Sequence, residues 1–224
     1  MNAVDPKKIA AEEAVEYVKN GMTVGLGTGS TAYWAIQKLG EKVKHGLKIK
    51  AVATSEHSAK LATELKIPMA SFDQLAQIDI TIDGADEVDS NKDIIKGGGG
   101  ALLREKIIAA NSSKYFIVVD SSKLVTHLGN FPLPVEIVPF ASALTIKKIE
   151  GLGCKANIRM EQGKRFVTDN GNLIVDCKFD LIQDPSTLNI QLHLIAGVVE
   201  TGLFAEMAPI LIVGYSNGTV EILQ

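Results

Sequence analysis

The sequence predicts an α/β protein: a parallel β-sheet covered by helices on both faces, with a second, smaller α+β domain. Three observations carry this prediction. Through about residue 120, short apolar runs alternate with stretches of helical periodicity, the pattern of consecutive βα units. Glycine-rich stretches stand where predicted strands hand over to helices, as in GLGTGSTA (25–32) and KGGGGALLREK (96–106). After residue 130 the texture changes to FPLPVEIVPF, with three prolines, followed by helix and hairpin signals in a new order.

The elements follow in turn. Asp5 suits a helix cap and Pro6 the first helical position, while Ile9, Ala10, Ala14, Val15 and Val18 mark an apolar stripe ending at Asn20-Gly21. MTVGL (22–26) reads as a short buried strand, and a second helix is expected over about 31–44. KIKAVA (48–53), IDITID (78–83) and YFIVVD (115–120) read as further strands. EHSAKLATELK (56–66) and ALLREKIIAA (101–110) read as the helices between them. Beyond the prolines, a helix is expected at about 141–151 and a strand near Cys154. VTDNGNLIVD carries Asn170-Gly171 between apolar runs, a hairpin signal. A helix from Pro185 and a strand at VVETGLF complete a β-α-β-β-α-β order, which suggests a ferredoxin-like domain at 131–204. The tail, ILIVGYSNGTVEIL, reads as a hairpin turning at Asn217-Gly218 that returns to the first domain, giving 1–130 plus 205–224.

Composition narrows the function. With 224 residues, 46% hydrophobic and 22% charged, the chain has the makeup of an ordinary globular protein with an ample core. A net charge of −3 argues against a nucleic-acid partner, and any anionic ligand must be held by local cations and backbone amides. No run approaches membrane-spanning length, and MNAVDPKKIAAEEAVEYVKNGM is too polar for a signal peptide, so a cytoplasmic protein is expected. Cys154 and Cys177 have no metal-ligand spacing and read as two buried, reduced thiols.

Three stretches at strand ends carry the chemistry. In GLGTGSTA, small residues let a ligand reach the N–H groups of a helix start, with hydroxyls from Thr28, Ser30 and Thr31. From Gly27 the stretch also fits the dinucleotide pattern G-x-G-x-x-A. The acid that should then close the second strand is missing: Thr54 and Ser55 stand there, which favours a single phosphate. A tight strand–helix turn with no ligand would use the same glycines. In DGADEVD (83–89), Asp83 and Asp86 flank a Gly-Ala turn at the end of a parallel strand. Acid–base chemistry, a magnesium site and a solvated turn all remain open for this pair. In the third stretch, helical spacing puts Glu105 on one face with Ala101, Ile108 and Ala109. Partial desolvation there would raise its pKa toward that of a general base; the plain alternative is a surface cluster with Arg104 and Lys106. Lys96, before glycines with unblocked N–H groups, would join a cation to oxyanion donors.

GLGTGSTA, DGADE and KGGGGALLREK, in this order and spacing, together resemble the ribose-5-phosphate isomerases of type A. Supporting stretches are DSSKLVTHLG (120–129), FPLPVEIVP (131–139) and VTDNGN (167–172), so the likeness runs through nearly the whole chain. One departure is Gly100, where many relatives have alanine; a change in loop flexibility is expected from it. The resemblance implies an aldose–ketose isomerase that interconverts ribose 5-phosphate and ribulose 5-phosphate, in the non-oxidative branch of the pentose phosphate pathway. It implies no metal and no nucleotide cofactor, a Rossmann-like catalytic domain, and a homodimer. Carried onto matching positions, it makes Glu105 the proton acceptor, with Asp83 and Lys96 also catalytic. It assigns substrate contacts to Thr28, Gly29, Ser30 and Thr31, to Asp83, Gly84, Ala85 and Asp86, to Lys96, Gly97, Gly98 and Gly99, and to Lys123. An amino-sugar phosphate deaminase would share the phosphate turn without the stretch from Lys96 to Glu105. A sugar-phosphate sensor of the repressor type would need a DNA-reading segment that this acidic chain does not offer.

Overall fold

The computed structural model describes residues 4–224, apart from the side chain of Gln74. The chain begins with α1 (Pro6–Val15), β1 (Thr23–Leu26), α2 (Ser30–Lys44), β2 (Lys50–Ala53), α3 (Glu56–Glu64) and β3 (Ile80–Asp83). Next come β4 (Glu87–Val88), β5 (Ile94–Ile95), α4 (Leu102–Ala110), β6 (Tyr115–Asp120) and β7 (Leu133–Ile137). They are followed by α5 (Ser142–Glu150), β8 (Lys155–Ile158), β9 (Met160–Glu161), β10 (Lys164–Arg165) and β11 (Leu173–Lys178). The chain ends with α6 (Pro185–His193), β12 (Val198–Thr201), β13 (Leu203–Phe204), β14 (Ile210–Gly214) and β15 (Val220–Leu223).

These elements form two compact units. The first holds the residues up to Ala85 with Arg104–Lys123 and Ala208–Gln224; the second holds Asp86–Leu103 and Leu124–Met207. The division differs from the boundaries drawn at 130 and 205. β4 and β5 pair antiparallel with each other, and β5 pairs with β13, so the 86–103 stretch joins the later part of the chain. Such pairing between distant segments leaves no local mark in the sequence.

In the first unit the sheet order is β15-β14-β6-β3-β1-β2, parallel throughout except for the edge strand β15. The tail hairpin thus returns to this sheet, as expected. Strand alternation divides the residues between two faces. Val24, Leu26, Ile80, Ile82, Phe116, Val118 and Ile212 join the core cluster that includes Ala10, Ala14 and Val15 of α1 and Ile36 and Leu39 of α2. Gly25, Gly27, Thr81, Asp83 and Tyr115 alternate with them and turn the other way, and Ile108 of α4 reaches Gly25 there. Asp5 caps α1 by accepting from the N–H groups of Lys7 and Lys8. This helix stops at Val15, short of the predicted Asn20, and a turn carries the chain on to Gly21 at φ +89°.

In the second unit the larger sheet has the order β12-β7-β11-β8, and every neighbouring pair is antiparallel. With α5 and α6 as the two crossovers, this is the ferredoxin-like arrangement predicted from the element order. The turn at Asn170-Gly171 forms, with Gly171 at φ +79°, and β11 then runs between β7 and β8. The β9–β10 ribbon fills the sequence between β8 and β11. VTDNGN serves the core here. Glu136, fully buried on β7, accepts through Oε1 from Thr168 Oγ1 at 3.0 Å, Asn172 Nδ2 at 2.8 Å and Asn170 Nδ2 at 3.2 Å. Cys154 and Cys177 are both buried and unbridged in the core of this unit.

Close backbone approach explains one glycine at the heart of the first unit. A Cβ on Gly214 would lie 1.9 Å from the Pro6 carbonyl oxygen and 3.2 Å from Ile9 Cγ1. Gly214→Ala must therefore lift the start of α1 off β14. A loss of about 1–3 kcal/mol is expected, read as a lower urea midpoint at unchanged slope; an unchanged midpoint would mean that α1 does not bear on β14 this tightly.

Candidate active site

The sheet order of the first unit reverses direction between β1 and β3. In open α/β sheets such a point leaves a crevice beyond the carboxyl ends of the strands, where ligands bind. The predicted residues of this unit gather at those ends: Thr28–Thr31 after β1, Thr54 and Ser55 after β2, Asp83 closing β3, and Lys123 in a 3₁₀ turn after β6.

Asp83 is fully buried. Its Oδ1 accepts from Gly84 N–H at 2.8 Å and Thr28 N–H at 3.1 Å. The carboxylate lies against Gly27 so closely that a Cβ there would stand 2.1 Å from Oδ1. The first glycine of the GTGS turn is therefore required by an aspartate 56 residues away, a reason the local sequence does not show. Thr28 turns its hydroxyl inward, 2.7 Å from Thr54 Oγ1 and 2.8 Å from Ser55 Oγ. These contacts knit the turn to the end of β2. The same contacts fill the place where a dinucleotide fold keeps its ribose-binding acid, which supports the single-phosphate reading.

Gly29 precedes α2 at φ +106°, and no side chain caps the helix. Its first N–H groups therefore have no side-chain acceptor of their own, and the helix dipole adds partial positive charge. Ser30 is exposed at this end and Thr31 is buried behind it. Lys7 of α1, which the sequence reading did not select, donates through Nζ to Ser30 Oγ at 3.1 Å. It sets an ammonium group at the mouth of the turn. Its spacing from the turn in sequence offers no signal, because only the packing of α1 on α2 brings it there.

Glu105 is 4% exposed in the first turn of α4, on the face that also buries Ile108 and Ala109. The apolar-stripe expectation holds, and the alternative of a solvated charge cluster does not. Asp83 and Tyr115 project from the sheet face that α4 covers. Tyr115 is buried, and its hydroxyl makes no hydrogen bond among the described residues. Burial first, and then the carboxylates of Asp83 and Glu105, push that hydroxyl well above the ordinary tyrosine range. Both acids thus act electrostatically on one buried group.

In the second unit, Lys96 is 2% exposed, with its ammonium 5.6 Å from the centre of the Phe204 ring. Its N–H donates to the Gly202 carbonyl at 2.9 Å, which continues the pairing of β5 with β13. Gly98 N–H donates to Asp86 Oδ2 at 2.7 Å. This corrects the expectation that all the loop amides are unblocked, and it gives Asp86 a partner unrelated to that of Asp83. Ala85, at the end of the first unit, is half-buried. Gly97 and Gly100 have φ of +102° and +76°, and a Cβ on Gly100 would stand 2.4 Å from the Phe166 ring. The fourth glycine is thus fitted both to its backbone angle and to packing against Phe166. Among the described residues, no group of three or more His, Cys, Asp or Glu side chains is arranged to hold a metal ion. Nor is any helix of these residues long and apolar enough to cross a membrane.

Comparison with known proteins points the same way. Residues 50–218 match the family described as ribose 5-phosphate isomerase A (phosphoriboisomerase A). A ribose-5-phosphate isomerase A from Bacillus cereus is 56% identical over 217 residues, 96% of this chain and 99% of that protein. One from Parvibaculum lavamentivorans is 51% identical over 98% of each. Among solved structures, the ribose 5-phosphate isomerase from Plasmodium falciparum superposes with a TM-score of 0.94 at 40% identity, covering 97% of both chains. A D-ribose-5-phosphate isomerase in complex with phospho-erythronic acid gives 0.94 at 44% identity over 100% of both. With a family model matched over residues 50–218, relatives more than half identical along nearly the whole chain and solved structures superposing over its full length, this chain belongs to the ribose-5-phosphate isomerase A family.

Proposed function

We propose that this chain is an aldose–ketose isomerase that interconverts D-ribose 5-phosphate and D-ribulose 5-phosphate through an enediolate. The observation that carries the reading is the buried Glu105 beside the sheet face of Asp83, in a chain of this family. Moving a hydrogen between C2 and C1 of a sugar needs a base that can take a proton from carbon and return it one carbon along. A carboxylate withdrawn from water keeps its basicity for that step. Glu105 is that base. It removes the C2 proton of the aldose and delivers it to C1, and works in reverse on the ketose.

As the proton leaves carbon, negative charge develops on the sugar oxygens. Lys96 and the amides of Gly97 and Gly99 stabilise it, since Gly98 N–H is engaged by Asp86. Asp83, held by two backbone N–H groups, moves protons between the O1 and O2 positions. The phosphate rests at the start of α2, against Gly29, Ser30 and Thr31, with Lys123 as a further cation. The phospho-erythronic acid held by the related isomerase suits this scheme. It carries a phosphate at one end and a carboxylate, planar and anionic like an enediolate, at the other. The enzyme acts without metal or nucleotide cofactor, as a homodimer in the cytoplasm.

Glu105→Gln should lower kcat by roughly 10²–10⁴-fold, the share of a positioned general base, with KM little changed; a raised KM at parental kcat would make Glu105 a binding residue. Lys96→Ala should depress kcat at least as strongly as it weakens binding, whereas a pure KM effect would reduce Lys96 to a phosphate clamp. Both are read by following ribulose 5-phosphate formed from ribose 5-phosphate. Turnover should persist after exhaustive EDTA treatment, and a loss restored by added Mg²⁺ would return the aspartates to a metal role.

A further inference from the structure

The glycine loop has one bond of its own, from Gly100 N–H to the Gly97 carbonyl at 2.9 Å, and needs further restraint. Four glycines in a row are hard to order, and a loop that stabilises an oxyanion must hold its donors in place before charge develops. Within the second unit, the side chain that meets this need is Arg159, just beyond β8. Its Nη1 donates to two successive loop carbonyls, Gly97 O at 2.8 Å and Gly98 O at 3.0 Å. The other side of the guanidinium is gripped by Asp176 of β11: Nε donates to Oδ2 at 3.0 Å and Nη2 to Oδ1. Main-chain bonds hold Arg159 at both ends, from its N–H to Ile174 O at 2.8 Å and from Phe166 N–H to its own carbonyl at 2.9 Å. The Phe166 ring lies 5.8 Å from the guanidinium carbon and also packs against Gly100.

The planar trans peptide turns these contacts into aim. In each peptide unit the C=O and the following N–H point in opposite directions. Holding Gly97 O toward Arg159 therefore directs Gly98 N–H away from it, and that N–H is found on Asp86. Holding Gly98 O the same way directs Gly99 N–H away from the arginine, and Gly99 is exposed. A cation on the carbonyl of a peptide also polarises its N–H, which strengthens it as a donor.

We propose that Arg159 is a positioning residue for catalysis: through the Gly98 carbonyl it aims and polarises the Gly99 amide that stabilises the enediolate. The proposal rests on the isomerase reading above. Arg159 touches no substrate and acts only through the loop.

The test compares the parent enzyme with Arg159→Ala and with Arg159→Met, which keeps the aliphatic stem against Phe166 and stands in if the alanine variant does not fold. Loss of the arginine should lower kcat by roughly 10–10³-fold, up to the share of one oxyanion-hole donor, with KM changed far less. Two inhibitors then separate positioning from general damage. Phosphoerythronate, anionic where the enediolate forms, should lose affinity, while ribitol 5-phosphate, neutral there, should bind nearly as it does to the parent. A folded variant with parental kcat, or with both inhibitors weakened alike, would overturn the proposal. If the parent itself fails to turn over ribose 5-phosphate, it is the isomerase reading that falls.

Discussion

Everything in the first unit depends on how closely β1 and β3 approach at their carboxyl ends. A Cβ on Gly25 would stand 2.0 Å from Thr81 Oγ1, and one on Gly27 would stand 2.1 Å from Asp83 Oδ1. Because both positions are glycine, the polar side chains of β3 lie flat over β1. Ile108 then brings α4 down over the same face, 2.8 Å from where a Gly25 Cβ would be. The position of Glu105, three residues before Ile108 on that helix, follows from this contact. So does the capture of Asp83 by the Thr28 amide, which ties the turn after β1 to the end of β3.

This arrangement works against stability as a plain core would count it. Buried carboxylates are costly to withdraw from water unless hydrogen bonds compensate, and a buried hydroxyl without a partner adds to the penalty. Asp83 is compensated by two backbone amides, yet the unit retains an unbonded Tyr115 hydroxyl beside two acids. The opposite face of the sheet carries the apolar cluster shared with α1 and α2. One face stabilises the fold, and the other holds groups that water would make less reactive.

The second unit answers a different need. Glycine permits the φ values above +70° at Gly97 and Gly100, and leaves room for Asp86 and Phe166 against the loop. The same freedom would blur its donors. Beyond the turn bond from Gly100 N–H to the Gly97 carbonyl, restraint comes from outside the loop: the Asp86 carboxylate on one amide and the Arg159 guanidinium on two carbonyls. Asp176, opposite Asn157 in the β8–β11 register, in turn locks the arginine. A ferredoxin-like sheet thus supports a run of four glycines whose ordering costs on the order of 1–2 kcal/mol of entropy per residue.

By itself the sequence determined the main alternation of strands and helices, though not the short strands β4, β5, β9 and β10, together with the two sheet types, the turn at the start of α2 and the apolar stripe that buries Glu105. Each is local: period 2 or 3.6, a cap such as Asp5, an Asn-Gly pair, a carboxylate one turn from Ile108. The three motifs together also sufficed to place the chain in its family. Only the tertiary structure decided that Gly27 exists for Asp83, that the Thr28 hydroxyl faces Thr54 and Ser55, that Gly98 N–H belongs to Asp86, and that Lys7 reaches Ser30. It also assigned residues 86–103 to the second unit through β13. Arg159 is the clearest case, an ordinary arginine in NIRME whose partners lie 17 and about 60 residues away. Periodicity and capping are properties of neighbours along the chain, whereas a hydrogen bond between distant segments depends on register and packing, which exist only once the chain has folded.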